Sequence, residues 1–98
     1  MQPIEPSHAF SMEFFSLKGK TAIVTGGNSG LGQALALALA TAGANLFIPG
    51  RRVDNAQTRE RIEQQGAEVE FMLANITDNG MPQRIIAACC QRFGTVDI

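Results

Sequence analysis

The chain has 98 residues, which is enough for one small domain with a thin hydrophobic core. Charged residues make up 17% of it and the net charge is −1, so it lacks the basic excess that nucleic-acid binding requires. No apolar run approaches the roughly 20 residues that span a bilayer. We therefore expect a globular protein that binds neither nucleic acid nor membrane.

Residues 1–16 are predicted to form an irregular N-terminal lead-in, because they contain Pro3, Pro6 and scattered phenylalanines. This segment has neither the basic region nor the continuous apolar stretch of a secretion signal, which favours a cytoplasmic location. The only cysteines, Cys89 and Cys90, are adjacent, and a bridge between neighbours in a helix is strained. Both are expected to stay reduced and to be structural.

Strand and helix patterns alternate from residue 17 onward. The apolar runs predict strands at 20–25, 44–48 and 68–73, and the start of a fourth strand at 95–98. Helical spacing predicts helices at 30–42, 54–65 and 81–93. This order indicates right-handed crossovers and a parallel sheet. The predicted fold class is α/β, a Rossmann-type doubly wound parallel sheet truncated after the start of the fourth strand, with 17–98 as the partial domain.

Each predicted helix has an expected buried side and expected ends. Gly43 and Gly66 should end the first two helices, and Pro82 suits the first turn of the third, which Asp78 is expected to cap. The expected apolar positions are Leu31, Leu35, Ala38, Leu39 and Ala42 in the first helix, Ala56 and Ile62 in the second, and Ile85, Cys89 and Phe93 in the third.

A glycine loop, T-G-G-N-S-G-L-G at residues 25–32, joins the first strand to the first helix. In such a loop Gly26 lets the chain turn off the strand, Gly30 leaves room for phosphate oxygens, and Gly32 lets the helix pack closely on the sheet. The helix that starts here offers unpaired N–H groups and a partial positive charge to an anion.

Three further residues of the loop are candidate cofactor ligands. Asn28 and Ser29 can donate hydrogen bonds to phosphate or ribose oxygens, and Leu31 can supply a backbone N–H and an apolar anchor. The strand before the loop and the helix after it make dinucleotide binding the favoured interpretation over a loop that merely turns.

The spacing T-G-x-x-x-G-x-G, within the stretch from Leu17 to Gly32, resembles the N-terminal part of the short-chain dehydrogenase/reductase family. The resemblance extends from about Ser16 to Ile98. Within the family the chain is most similar to the bacterial branch that acts on sugars and sugar acids, such as the 2-deoxy-D-gluconate 3-dehydrogenases. It implies a nicotinamide cofactor, hydride transfer to or from a secondary alcohol or ketone of a small-molecule substrate, and a homo-oligomeric parent enzyme.

The resemblance also directs attention to the end of the second strand, which contacts the adenosine ribose. Gly50 stands where NAD-preferring members carry an acid, and Arg51 follows it. Because a guanidinium binds a phosphate bidentately, we expect NADP(H) to be preferred over NAD(H). Two observations leave the alternative open: Arg51 and Arg52 can be solvated loop charges, and sugar-acid members often use NAD.

Asn75 stands at the end of the third strand, where the family usually has an aspartate that accepts a hydrogen bond from the adenine amino group. Its side-chain oxygen can accept the same bond, or its NH₂ group can reach ring N1 or a backbone oxygen. Ile76 is expected to contribute backbone and an apolar wall.

Family catalysis uses a serine, a tyrosine and a lysine, and this chain has no tyrosine. It also ends where the next family motif would follow, so no catalytic and no metal-binding residue is predicted. We expect a fragment of a longer enzyme, inactive and marginally stable alone, that holds the adenosine and pyrophosphate half of the site. The alternatives are a non-catalytic dinucleotide-binding fragment and a structural remnant.

Overall fold

A computed structural model describes residues 16–27, 30–51 and 56–98. In chain order its elements are β1 (Thr21–Ile23), α1 (Gly30–Thr41), β2 (Asn45–Gly50), α2 (Ala56–Gln64), β3 (Val69–Leu73) and α3 (Met81–Phe93). The predicted lead-in, apart from its last residue, lies outside the described residues. The division into a lead-in and a partial domain therefore stays a prediction.

The three strands form a parallel sheet in the order β1-β2-β3, which confirms the predicted α/β class. Ala22 of β1 lies opposite Leu46, and Ile48 lies opposite Phe71 of β3. The central strand β2 is a continuous apolar run, Leu46, Phe47 and Ile48, and all three are buried. Such a run is typical of a parallel strand that is covered on both faces.

Helices cover both faces of the sheet, as the doubly wound prediction requires. On one face α1 and α2 pack with Leu46, Ile48 and Val69. On the other face α3 packs against Phe47 through the predicted set Ile85, Cys89 and Phe93.

The buried side of α1 differs from the predicted one. Leu31 and Leu35 are 78% and 52% exposed, and Ala38 is exposed as well, whereas Ala36 and Ala40 are fully buried. Leu39 and Ala42 are only partly buried. The prediction was wrong for Leu31, Leu35 and Ala38, which are exposed, whereas Leu39 packs against the core as predicted, together with Leu37. Small residues at four-residue spacing, Ala36 and Ala40, let the helix approach the sheet closely.

The anchors of α2 also differ in part. Ile62 is buried as predicted, but Ala56 is exposed, and the second anchor is the fully buried Thr58. The Thr58 hydroxyl accepts a 2.7 Å hydrogen bond from Nε2 of Gln33 in α1. A polar side chain is tolerated between the helices because it is hydrogen-bonded there.

The helix ends follow the glycines, as predicted for Gly43 and Gly66. Gly43 has φ 108° and Gly66 has φ 83°, both left-handed, and the N–H of Ala44 donates to the carbonyl of Leu39 as in a Schellman ending. The prediction that Asp78 caps α3 is wrong. The cap residue is Gly80, with φ 77° and no side-chain cap bond, and Asp78 only accepts from the N–H of Met81 through its backbone carbonyl.

Residues 95–98 form no strand element, but the last of them lie beside β1. The N–H of Ile23 donates to the carbonyl of Ile98 at 3.0 Å, and the N–H of Asp97 donates to the carbonyl of Thr21 at 2.9 Å. The Asp97 carboxylate also accepts from the N–H of Thr21 at 2.9 Å. This segment therefore occupies the position of the predicted fourth strand, on the side of β1 opposite β2.

Within the described ranges, no helix has the length and apolar character needed to cross a membrane.

Candidate functional site

A cleft of about 210 Å³ opens at the carboxyl ends of the strands. Parallel α/β sheets bind their ligands at this edge. The cleft draws its walls from the turn after β1, the end of β2 and the end of β3. Its lining residues are Thr25, Gly26, Pro49, Gly50, Arg51, Ala74, Asn75, Ile76 and Thr77.

Backbone hydrogen bonds hold these three segments together. The N–H of Gly26 donates to the carbonyl of Pro49 at 3.4 Å, and the N–H of Ala74 donates to the carbonyl of Gly50 at 2.8 Å. The cleft thus brings together four of the predicted site residues, Gly26, Arg51, Asn75 and Ile76, from separate parts of the chain.

The glycine loop makes its turn through two left-handed residues. Gly26 has φ 67° and Gly30 has φ 56°. A Cβ at Gly30 would meet nothing within 4 Å, so the space beside the loop is open. Glycine is favoured at this position by its left-handed backbone conformation and not by crowding.

Gly32 is required for a different reason. A Cβ there would overlap the carbonyl oxygen of Gly26 and lie 2.7 Å from its carbonyl carbon. We expected Gly32 to allow close packing of the helix on the sheet, but its close neighbour is the turn itself. The first turn of α1 is thereby held directly against the turn after β1.

Gly30, Leu31 and Gly32 form the first turn of α1. The N–H groups of a first helical turn have no intrahelical acceptor and carry a partial positive charge, so they can bind an anion. The Leu31 side chain is 78% exposed and does not anchor the helix, which leaves only its backbone for the predicted role. Asn28 and Ser29 lie outside the described residues.

Gly27 is a residue of this turn that sequence reasoning did not select. It is buried, and a Cβ there would lie 3.2 Å from side-chain atoms of both Val24 and Ile48. Two consecutive glycines directly after a buried strand could have indicated this role in the sequence. Gly26 turns the chain, and Gly27 fits against the sheet.

Arg51 supplies the only ionised side chain among the described lining residues, and it is exposed. Gly50, the last residue of β2, brings no carboxylate to the wall. Arg52 lies outside the described residues. The charge at this end of the cleft therefore favours an anionic ligand.

Asn75 begins a tight turn after β3 and is bonded to Thr77. Its side-chain oxygen accepts from the Thr77 N–H at 3.1 Å and from the Thr77 hydroxyl at 2.7 Å. Its backbone carbonyl accepts from the N–H of Asp78 at 3.0 Å. Of the alternatives for its side chain, the oxygen is thus engaged within the protein, and the NH₂ group is the part left for a ligand.

Thr77 is a second residue that sequence reasoning missed. An asparagine side chain often bonds the backbone two residues ahead, so a threonine two positions after Asn75 was a usable signal. Ile76, between them, is 50% exposed and lines the cleft, where it can serve as the predicted apolar wall.

Comparison with known proteins agrees with this architecture. The family model described as short chain dehydrogenase matches residues 20–98. The uncharacterized oxidoreductase YgcW of Escherichia coli (strain K12) is 72% identical over 95 residues, which cover 97% of this chain and 36% of that protein. The sorbose reductase SOU1 of Candida albicans is 36% identical over 88 residues, which cover 89% of this chain and 31% of that protein.

A solved structure gives the same result in three dimensions. A short-chain type dehydrogenase/reductase from Mycobacterium marinum superposes with a TM-score of 0.79 at 28% identity, covering 88% of this chain and 34% of that one. The chain spans about a third of the length of these relatives. On the matched family model and the shared parallel sheet, the chain belongs to the short-chain dehydrogenase family.

Proposed function

We propose that this chain is the adenosine- and pyrophosphate-binding part of an NAD(P)-dependent oxidoreductase, which moves a hydride between the nicotinamide and a secondary alcohol or ketone. The observation that carries the proposal is the cleft that joins Gly26, Arg51 and Asn75 at the carboxyl edge of the sheet. The absence of tyrosine from these 98 residues supports placing the proton-transfer chemistry in the rest of a longer enzyme. Alone, the chain is expected to bind cofactor without turnover.

The residues fit the parts of a dinucleotide as follows. The first turn of α1 would hold the pyrophosphate with its free N–H groups, and the close approach of Gly32 to Gly26 holds that turn against the turn after β1. The base would enter the cleft beside Asn75 and Ile76, whose exposed apolar surface can pack on a purine ring. Arg51 stands at the end of β2, where the adenosine ribose would lie.

NADP(H) is the cofactor that we propose over NAD(H). The support is electrostatic: the cleft wall carries the Arg51 guanidinium and no carboxylate among its described residues. A carboxylate at Gly50 would accept hydrogen bonds from the ribose hydroxyls and repel a 2′-phosphate, whereas an arginine attracts it.

The test is to measure dissociation constants for NADPH and NADH by cofactor fluorescence, with the wild-type chain, Arg51→Asp and Arg61→Asp. Arg61 lies in the last turn of α2 and provides the same charge change outside the cleft. A hydrogen bond to a charged group contributes about 1.5–3 kcal/mol, so Arg51→Asp should weaken NADPH binding about 10-fold or more and leave NADH little changed. Equal affinity for both cofactors in the wild type, with no effect of Arg51→Asp, would refute the preference.

For the substrate we propose a sugar or sugar acid, which rests on the resemblance to the sugar-acid branch and on the likeness to a protein named sorbose reductase. A panel of polyols, ketoses and sugar acids, assayed with the full-length enzyme, tests this proposal. A cytoplasmic location and a homo-oligomeric parent remain predictions.

Dinucleotide binding without chemistry is the alternative, and the cleft serves it equally well, because holding a dinucleotide needs no catalytic tyrosine. The downstream reading frame separates the two functions. A Tyr-x-x-x-Lys pair there supports the oxidoreductase, and its absence supports the binding module.

A further inference from the structure

One side of β3 faces away from β2 and has no neighbour among the described strands; we call it the β3 edge. In a parallel ladder the backbone groups of successive residues point alternately toward and away from the neighbouring strand. The carbonyl of Glu68 accepts from the N–H of Leu46 in β2, and the N–H of Ala74 donates to the carbonyl of Gly50. The backbone groups that point outward at the β3 edge therefore belong to Val69, Phe71 and Leu73.

The β3 edge has the properties of a strand that pairs readily with another chain. Outward N–H and C=O groups are a template for a further strand, and apolar side chains strengthen that tendency. The Leu73 side chain, on this strand, is 60% exposed. The only ionised side chain of β3, that of Glu70, lies 3.9 Å from Nε of Arg92, so its charge is balanced. Little in β3 itself therefore opposes pairing.

The β3 edge also matches a second copy of itself. In an antiparallel pair centred on Phe71, Val69 of one copy would stand opposite Leu73 of the other. Glu70 would stand opposite Met72, so the two Glu70 carboxylates would not face each other. Like charges directly opposite each other destabilise a sheet, and this register avoids that cost. The resulting contact is two-fold symmetric, as in most homodimers.

Arg59 of α2 reaches over the β3 edge. Its Nη1 atom donates to the outward carbonyl of Val69 at 3.4 Å, and its guanidinium carbon lies 5.0 Å from the centre of the Phe71 ring. A strand paired here would place its own N–H on that carbonyl and its backbone beside the guanidinium. It would therefore have to displace Arg59 or bury its charge, and burying a charge away from water is costly.

We propose that Arg59 keeps the β3 edge from pairing with a second copy of this chain, and that the edge becomes a self-association surface when Arg59 is removed. The strand supplies the outward backbone groups and the apolar side chains. Arg59 supplies the obstacle, because it occupies the Val69 carbonyl and holds a charge over Phe71. The inference does not depend on cofactor binding, since none of these three residues lines the cleft.

The test measures self-association by sedimentation velocity over a range of concentrations, with the wild type, Arg59→Met and Arg61→Met. Methionine keeps an apolar side chain beside Phe71 but has neither a charge nor an N–H donor. Arg59→Met should associate about 10-fold more tightly than the wild type or more, as expected when a charged hydrogen-bond donor no longer has to be displaced. Arg61 is exposed in the last turn of α2, so Arg61→Met loses the same charge elsewhere and should associate as the wild type does.

Amide hydrogen exchange locates the association on β3. In Arg59→Met the N–H groups of Phe71 and Leu73 should become protected as the concentration rises, because a partner strand accepts from them. The N–H groups of Glu70 and Met72 point toward β2, so they should stay protected throughout and report that the chain remains folded. Adding Leu73→Lys to Arg59→Met should restore wild-type association, because a lysine on an edge strand opposes pairing.

Four results would overturn the inference. They are wild-type association in Arg59→Met, equally increased association in Arg61→Met, association without new protection at Phe71 and Leu73, and a double variant that stays associated. Association with loss of protection at Glu70 and Met72 would also overturn it, because that result means unfolding and not pairing at the edge.

Discussion

Replacing Gly32 by alanine tests the closest contact in the glycine loop. The new Cβ would overlap the carbonyl oxygen of Gly26 and lie 2.7 Å from its carbonyl carbon, well inside the 3.4 Å at which ordinary contacts begin. Both neighbours are backbone atoms and cannot rotate away, so the turn or the first turn of α1 must move. Overpacking of this kind costs about 1–3 kcal/mol in unfolding free energy.

The same displacement should weaken NADPH binding, because the N–H groups proposed to hold the pyrophosphate belong to the helix turn that moves. If the displacement makes the free energy of NADPH binding less favourable by about 1.4 kcal/mol, the dissociation constant rises 10-fold. Urea unfolding and a fluorescence titration with NADPH measure the two effects on the same sample.

Gly66→Ala is the matched control for this substitution. Gly66 also has a left-handed φ, 83°, but a Cβ there meets nothing within 4 Å and the residue lies outside the cleft. Its replacement should cost roughly 1–2 kcal/mol of stability through backbone strain and leave NADPH affinity unchanged. Wild-type unfolding and NADPH binding in Gly32→Ala, or equal weakening of NADPH binding in Gly66→Ala, would refute the role assigned to the Gly32 contact.

Three further predictions concern α3 and its two cysteines. Ile85→Ala should lower the unfolding free energy by about 2–4 kcal/mol in urea titrations, because Ile85 is 3% exposed. Ile86→Ala, at a 52% exposed position, should change the unfolding free energy by less than about 0.5 kcal/mol. Equal losses in the two variants would contradict the assignment of Ile85 to the buried face of α3. Iodoacetamide followed by mass spectrometry should modify the exposed Cys90 before the buried Cys89. Burial raises the pKa of the Cys89 thiol, and the charges of Cys90 and Asp97 add to the rise. The contribution of the neutral Cys89 thiol to folding stability is therefore full below the ordinary thiol pKa, and it is lost as the pH rises through the raised pKa of the folded protein. An unfolding midpoint that does not fall at alkaline pH, or that falls equally in Cys89→Ala, would count against this.

The sequence was sufficient for elements whose apolar pattern and packing agree. The central strand β2 is a run of large apolar residues, and α3 carries Ile85, Cys89 and Phe93 on one side, so burial follows directly from the pattern. For α1 the apolar residues surround the helix, and periodicity could not show that Ala36 and Ala40 are the fully buried positions while Leu31 and Leu35 are exposed.

The candidate site was predictable where backbone conformation demands glycine, as at Gly26 and Gly30, both of which are left-handed. It was less predictable where a side chain has two possible partners. The orientation of Asn75 depends on bonds from Thr77, which lies on a turn whose geometry the sequence alone does not define.

Backbone amide resonances followed during a titration with NADPH show whether a nicotinamide dinucleotide binds at the carboxyl edge of the sheet. The largest shifts should occur at the cleft and glycine loop, at Gly26, Arg51, Asn75 and Ile76, with Gly66 unmoved as the internal reference. No shifts at millimolar NADPH, or shifts centred on Gly66 and the end of α2, would contradict it.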